Sequence, residues 1–365
     1  MESGAIMEKY VQAKRAFGPD LIRAVAVTCV LLSHTFPGGT MFPIVALIRA
    51  TLGMLGVEIF FVLSGYLIGE ILIRQLHAGE LDSRSGVVGF WKRRWFRTLP
   101  NYYLFLLLNI VIAIYVRENL PSDWWRFLYF GQGLHTVHPI FFTEAWSLAV
   151  EEWFYLLFPL CIWLLIKFFK NRSLAFWLSV GLFIILPTIL RSYPWFHDYD
   201  NGMRKVTFLR MDAIMFGVIL AFLKLNPKHW MTMKKLWPIG ALGIILLALV
   251  SQQLGDKTYV FSRVLYFPLL SLSISLVLPY VSELSRPHPV LDYTVRKISL
   301  WSFSMYLSHG PIIIILTGCF VAAGWSTHGM NAAVISVLVW IGTLGISSLV
   351  YARYEKPLMD LREPK

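Results

Sequence analysis

Two side chains with chemical potential stand in the first apolar run of this chain, Arg23 and His34. Eleven positions at about 100° each come to about 20° past three full turns, so on a helix they share one stripe, about 16 Å apart along the axis. An unperturbed imidazole is neutral near pH 7 and can take a proton from a hydroxyl. A guanidinium can hold an anion. The blander reading is that Arg23 snorkels to the headgroups while His34 packs inside a bundle. The pattern alone leaves both open.

A second cluster is the basic run from Phe90 to Pro100, where Arg94 and Arg97 are one helical turn apart and can converge on a single anion such as a phosphate. The run also fits an ordinary basic flank, with Trp91, Trp95 and Phe96 as an interfacial aromatic belt. A third cluster runs from Trp146 to Tyr155. There Ser147 and Glu151 form an i,i+4 pair, and Glu151 can hold an imidazole in one tautomer unless Glu151 and Glu152 are merely a solvated helix end.

Three smaller features follow. Glu58 precedes Ser64-Gly65, a step that can open a helix locally; with no Gly-x-Ser-x-Gly elbow, Ser64 is not read as a nucleophile. Arg210 and Asp212 open an apolar run and suit pairing with neighbouring helices. His309 precedes Gly310-Pro311, a step expected to kink a helix, and packing explains it as well as catalysis does. Cys29, Cys161 and Cys319 all lie in apolar runs without metal-ligand spacing, so neither a metal site nor a disulfide framework is expected.

The elements that position these residues must lie in a membrane. Of 365 residues, 57% are hydrophobic and 15% charged, against about 25% charged in soluble domains. Ten apolar runs approach the roughly 20 residues of a spanning helix: 20–37, 51–73, 99–116, 143–166, 173–190, 207–223, 236–252, 259–281, 299–317 and 330–352. A β-barrel would show short alternating segments instead. The expected fold is an all-α polytopic helix bundle, one membrane domain over 1–365, with no appended soluble domain.

Charge orients it. With both termini cytoplasmic, the inner segments hold 23 Lys and Arg and the outer loops 7, with Arg23, Arg210 and Arg263 inside spans. That is the positive-inside distribution. The net charge of +12 therefore reads as topology and affinity for anionic headgroups, and nucleic acid is not an expected partner. The first apolar run is too long for a cleavable signal, so the first helix is expected to stay in the membrane.

Together these stretches resemble the acyltransferase 3 family of membrane O-acyltransferases, from Asp20 to about Leu361. Asp20-Leu-Ile-Arg23 with His34 is similar to its Arg-x10-His signature. Phe60 to Tyr66 resembles the second-helix motif, with Glu58 where Asp is more usual. Arg94-Trp-Phe-Arg97 with Leu99-Pro100, Trp146 to Glu151, Ser302 to His309, and Tyr354-Glu-Lys-Pro357 resemble four further motifs, in the family's order. The resemblance implies transfer of an acyl group, commonly acetyl, from cytoplasmic acyl-CoA (acetyl-CoA) to a hydroxyl of a carbohydrate or similar acceptor, at a plasma (inner) membrane. Acyl-CoA is then a donor substrate rather than a resident cofactor. Some relatives append an extracytoplasmic hydrolase-like domain, and any such partner is expected to be a separate protein.

On that reading His34 is the base or carries the acyl group in transit, and Glu151 orients it, with Glu58 second. Arg94 and Arg97 bind the CoA phosphates, and Arg23 lies between clamp and base. A proton-coupled transporter would also use intramembrane Arg, Glu and His, but no inverted repeat with paired broken helices is visible. A purely structural scaffold leaves the buried charges unexplained.

Overall fold

Hydrocarbon offers a backbone no hydrogen bonds, so each crossing segment must satisfy its own N–H and C=O groups. The computed structural model describes residues 16–36, 43–116, 120–134, 136–193, 203–251 and 261–361, and among them there are helices and turns but no strand. In order these helices are α1 (Phe17–Thr35), α2 (Pro43–His77), α3 (Arg84–Tyr115), α4 (Ala145–Phe169), α5 (Arg172–Ser192) and α6 (Met211–Leu223). Then come α7 (Pro227–Lys235), α8 (Trp237–Val250), α9 (Tyr266–Ser282), α10 (Pro289–Ala322), α11 (Met330–Val350) and α12 (Lys356–Asp360).

Among the described residues eight helices are long and apolar enough to cross a membrane, and the α7–α8 pair, bent by 47°, makes a ninth if counted as one span. The fold is a polytopic transmembrane bundle. Each of the ten expected runs falls on a helix, although the ends at 37, 252 and 259–260 lie outside the described residues. Several helices outrun their apolar segments. α3 starts at Arg84, so the basic run holding Arg94 and Arg97 belongs to the same rod as the span at 99–116. Its start is capped by Ser83, whose Oγ accepts from Gly86 N at 3.1 Å.

α6 is the exception, at 13 residues, about 20 Å, shorter than a bilayer's hydrocarbon. The segment leading into it is irregular, with Met203, Val206, Thr207 and Leu209 all buried. Non-helical backbone survives at such depth only when covered by protein, and here Thr207 N donates to Gly133 O at 2.7 Å.

Lipid-facing and protein-facing residues separate cleanly. α8 exposes Ile239, Leu242, Ile245, Leu246 and Leu249, while Tyr102, Phe105, Phe154 and Phe158 fill the interior. Buried ion pairs clamp the middle helices. Arg191 of α5 meets Asp212 of α6 at 2.6 Å, with side chains 0% and 1% exposed. Arg210 pairs with Glu58 of α2, which also accepts from Ser271 Oγ of α9 at 3.0 Å. Removing one partner of such a pair strands a buried charge, at a cost of about 3–5 kcal/mol.

α2 and α6 approach very closely. A Cβ at Gly65 would stand 1.8 Å from Ile214 O, and one at Gly217 would stand 2.0 Å from Val62 O. The sequence reading of Ser64-Gly65 as a local opening is thereby corrected. α2 runs unbroken through it, and Gly65 is there for helix-to-helix contact. α10 likewise continues through Gly310-Pro311 without a break in the helix.

Candidate active site: three cavities in a row

The bundle holds three cavities that share walls in sequence, labelled inner, middle and outer by the orientation that the charge distribution predicts. The inner one, about 580 Å³, is lined by Asp20, Arg23, Tyr66, Glu70, Arg97, Lys224, Glu283 and Glu355 among others. The middle one is a slot of about 130 Å³ walled by Phe60, Phe61, Ile68, Leu148 and Phe303, with Ser64, Arg94 and Glu151 as polar members. The outer one, about 360 Å³, is lined by His34, Arg49, Glu144, Trp146, Arg204 and Lys205 among others. Arg23, Leu67 and Arg97 line both inner and middle cavities. Val57 and Tyr306 line both middle and outer ones. Ala16 and Met359 both line the inner cavity, so the two ends of the described chain lie on one side of the bundle.

At the outer end His34 is exposed to the cavity. Its Nδ1 lies 2.9 Å from Val30 O. A carbonyl only accepts, so Nδ1 carries the hydrogen and Nε2 keeps the lone pair a general base needs. The His34 ring lies 5.0 Å, centroid to centroid, from that of His309, tilted by 49°. His309 is fully buried, its Nδ1 lies 3.3 Å from Met305 O, and its Nε2 lies 3.8 Å from Glu144 Oε1. Gly310 makes room for that carboxylate, since a Cβ there would stand 2.1 Å from Glu144 Oε1.

Glu144 is thus the carboxylate beside the two histidines, and the sequence reading missed it. It stands at the N-cap position of α4, two residues before the Trp146 to Tyr155 stretch in which Glu151 was the expected partner of the imidazole. Tyr306 was missed too, although the quoted stretch Ser302 to His309 contains it. Its hydroxyl lies 2.7 Å from Ser147 Oγ and donates to Glu144 O at 3.2 Å.

Glu151 is not at His34. It accepts from Ser64 Oγ at 2.9 Å and from Tyr155 OH at 3.1 Å, and pairs with Arg94 at 3.5 Å. Since Glu151 lies a full seven residues past Glu144, almost two helical turns, it faces the middle slot. Glu58, the second candidate to orient His34, is committed to Arg210 and Ser271. Arg94 donates to Tyr155 OH at 2.9 Å and lies over that ring at 4.1 Å.

Arg97 reaches the inner cavity, where Arg94 does not. Near it Glu355 accepts from Asn101 Nδ2 at 3.0 Å and Ser304 Oγ at 2.8 Å. Arg23 donates to Ser299 Oγ at 3.4 Å, and Ser299 donates to Asp20 Oδ1 at 2.6 Å, which fastens α1 to α10 at the inner end. Arg23 and His34 therefore occupy opposite ends of the row, as their shared stripe requires. Among the described residues no group of His, Cys, Asp and Glu is arranged to hold a metal ion.

The arrangement defines a membrane protein with a histidine pair at one mouth, Arg23 and Arg97 at the other and a slot walled by aromatic and polar side chains between. The family model of the acyltransferase 3 domain matches residues 17–352, and the chain belongs to that family. It is 27% identical to the O-acetyltransferase OatA of Staphylococcus aureus (strain NCTC 8325 / PS 47), over 96% of this chain and 58% of that protein. It is 28% identical to the peptidoglycan O-acetyltransferase OatA of Listeria monocytogenes serovar 1/2a, over 85% of this chain and 52% of that protein. The chain thus spans a little over half the length of these relatives. No solved structure matches it.

Proposed function

We propose that this chain is a plasma-membrane O-acyltransferase that takes an acyl group, most simply acetyl, from cytoplasmic acyl-CoA. It delivers that group to a hydroxyl of a glycan on the other side. The observation that carries the reading is the row of cavities joining Arg97 and Arg23 at one mouth to His34 at the other. A nucleotide thioester is a bulky polyanion on a thin flexible arm. A wide polar mouth that presents Arg23, Arg97 and Lys224 among its charged groups, a smaller slot and an imidazole beyond it suit that shape. Both relatives' names support acetyl as the group moved, and that of the Listeria relative, a peptidoglycan O-acetyltransferase, supports a glycan acceptor.

In this mechanism the inner cavity keeps the nucleotide phosphates, with Arg97 as anion contact and Arg23 next along the path. The arm threads the slot and brings the thioester carbonyl to the outer cavity. His34 Nε2 takes the proton of the acceptor hydroxyl as its oxygen attacks that carbonyl. The tetrahedral intermediate collapses, the carbon–sulfur bond breaks, and the CoA sulfur leaves with the proton from His34. His309 and Glu144 act behind His34, where a carboxylate favours the imidazolium that forms in between. The Ser64, Glu151, Tyr155 and Arg94 network holds the slot's polar wall.

The test uses the full chain in proteoliposomes, with acetyl-CoA on one side and peptidoglycan fragments on the other. Thiol release matched by acetylated fragments is expected. Movement of a solute without any thiol release would instead mark a transporter.

A further inference from the structure

Val57 and Tyr306 are the residues common to the linings of the slot and the outer cavity. The junction of the two cavities therefore lies beside them. Tyr306 is a fixed wall. Its hydroxyl is held by Ser147 at 2.7 Å and by Glu144 O at 3.2 Å, and Phe60 meets its ring edge-on at 6.1 Å. The ring centroid lies 6.0 Å from His309, the histidine that backs His34, so this wall stands beside the reacting atoms.

Val57 is the wall without such ties. It is an apolar side chain 6% exposed, one turn beyond Gly53, which also lines the outer cavity. Gly53 lets α2 lie tight against α1 there, since a Cβ would come 2.9 Å from Ser33 Oγ. Backbone retreat on that side is blocked, so the opening is set by the size of the residue 57 side chain.

We propose that Val57 and Tyr306 form the neck that selects the acyl group by size, admitting a two-carbon group and discriminating against longer ones. This rests on the transferase reading above. The slot of about 130 Å³ is already occupied by the donor arm at the moment of transfer, and its walls are Phe60, Phe61 and Phe303. With the thioester carbonyl just past the neck, the extra methylenes of a longer acyl group must fit against the outer-cavity faces of Val57 and Tyr306. One methylene more or less against an apolar wall changes specificity by about 10–200-fold. Val57→Ala removes two methyls and widens the neck, whereas Val57→Leu adds a carbon and narrows it.

The experiment measures alkali-labile acyl groups on envelope glycans of cells supplied with acetate and propionate. Cells carrying the wild-type chain, Val57→Ala or Val57→Leu are compared with cells lacking the chain. The propionyl-to-acetyl ratio is internal to each sample and independent of protein amount. It should rise at least several-fold in Val57→Ala and fall in Val57→Leu. Should one variant fail to fold and add no acyl group, the other still reads the neck. A ratio unchanged from wild type, or moved against these directions, overturns the neck. Wild-type cells with no more alkali-labile acyl groups than cells lacking the chain overturn the transferase reading instead.

Discussion

His309 Nε2 stands 3.8 Å from Glu144 Oε1 while its ring lies 5.0 Å from that of His34. His34 is thus backed by a second imidazole and a carboxylate, and in the proposed mechanism Glu144 acts through His309. Glu144→Gln keeps the shape and removes the charge. It should lower kcat about tenfold or more while the KM for acetyl-CoA stays put, because the donor mouth is distant. Steady-state kinetics of the reconstituted variant decide it. A changed KM with normal kcat would detach Glu144 from the chemistry.

His34→Ala should cost about 10²–10⁴-fold in acyl transfer with membrane insertion and thermal unfolding unaltered. Its ring is tied within α1 only through Nδ1, which lies 2.9 Å from Val30 O and 3.2 Å from Ser33 Oγ. Near-normal turnover by well-folded His34→Ala would remove it from the mechanism.

The two arginines should separate. Arg97 lines the inner cavity, and Arg97→Ala should weaken acyl-CoA binding by about 1.5–3 kcal/mol, tens of fold. Lys should rescue it only partly, as a point charge lacks the planar fork. Arg94 is tied to Glu151 and Tyr155, so Arg94→Ala should lower the unfolding temperature first. Calorimetric binding and thermal melts on both variants distinguish the effects. Equal losses of binding without loss of stability would return both residues to the phosphates.

Sidedness is directly testable. In a Cys29→Ser, Cys161→Ser, Cys319→Ser background, Thr327→Cys should react with an impermeant thiol reagent in intact cells and Val290→Cys should not. Val290 and Thr327 flank the two ends of α10. The opposite pattern would invert the topology and with it the donor side.

Outside the spans, His138 is buried, its Nε2 has no hydrogen-bond partner among the described residues, and its ring meets Phe127 edge-on at 5.7 Å. Burial, and then the charge of Lys205, push its pKa down to about 3. Below about pH 6.5 the unfolded chain takes up a proton that the folded chain refuses, so stability is full above that pH. It falls by up to about 1.4 kcal/mol per unit towards pH 3. Thermal melts from pH 7 to 4.5 should show this slope, and His138→Phe should flatten it. Parallel curves would show that His138 does not govern the acid limb.

The bundle was legible in the sequence because hydrocarbon imposes length and polarity on every crossing segment. The Arg23–His34 stripe followed from helical pitch alone, and it places the two residues at opposite ends of the cavities. Glu151 was misassigned because i,i+4 spacing fixes a face within one helix and says nothing about which helix lies opposite. Glu144 is a lone carboxylate at a helix start, and only the packing of α10, with Gly310 against it, brings His309 to it. Val57 is one valine among many apolar residues. Its place at a junction of two cavities is a property of three helices together.

The row of cavities has an electrical consequence. A bilayer that maintains a proton gradient cannot tolerate a continuous file of water from face to face. The outer and inner cavities share no lining residue among those described, and Val57 and Tyr306 are the lining residues common to outer cavity and slot. With its hydroxyl bonded to Ser147 and Glu144 O, Tyr306 is anchored against swinging aside. In the proposed transfer the donor arm itself plugs the slot as the acyl group is handed over, so the bundle remains an insulator, and trimming the neck should be felt as leak current as well as altered cargo.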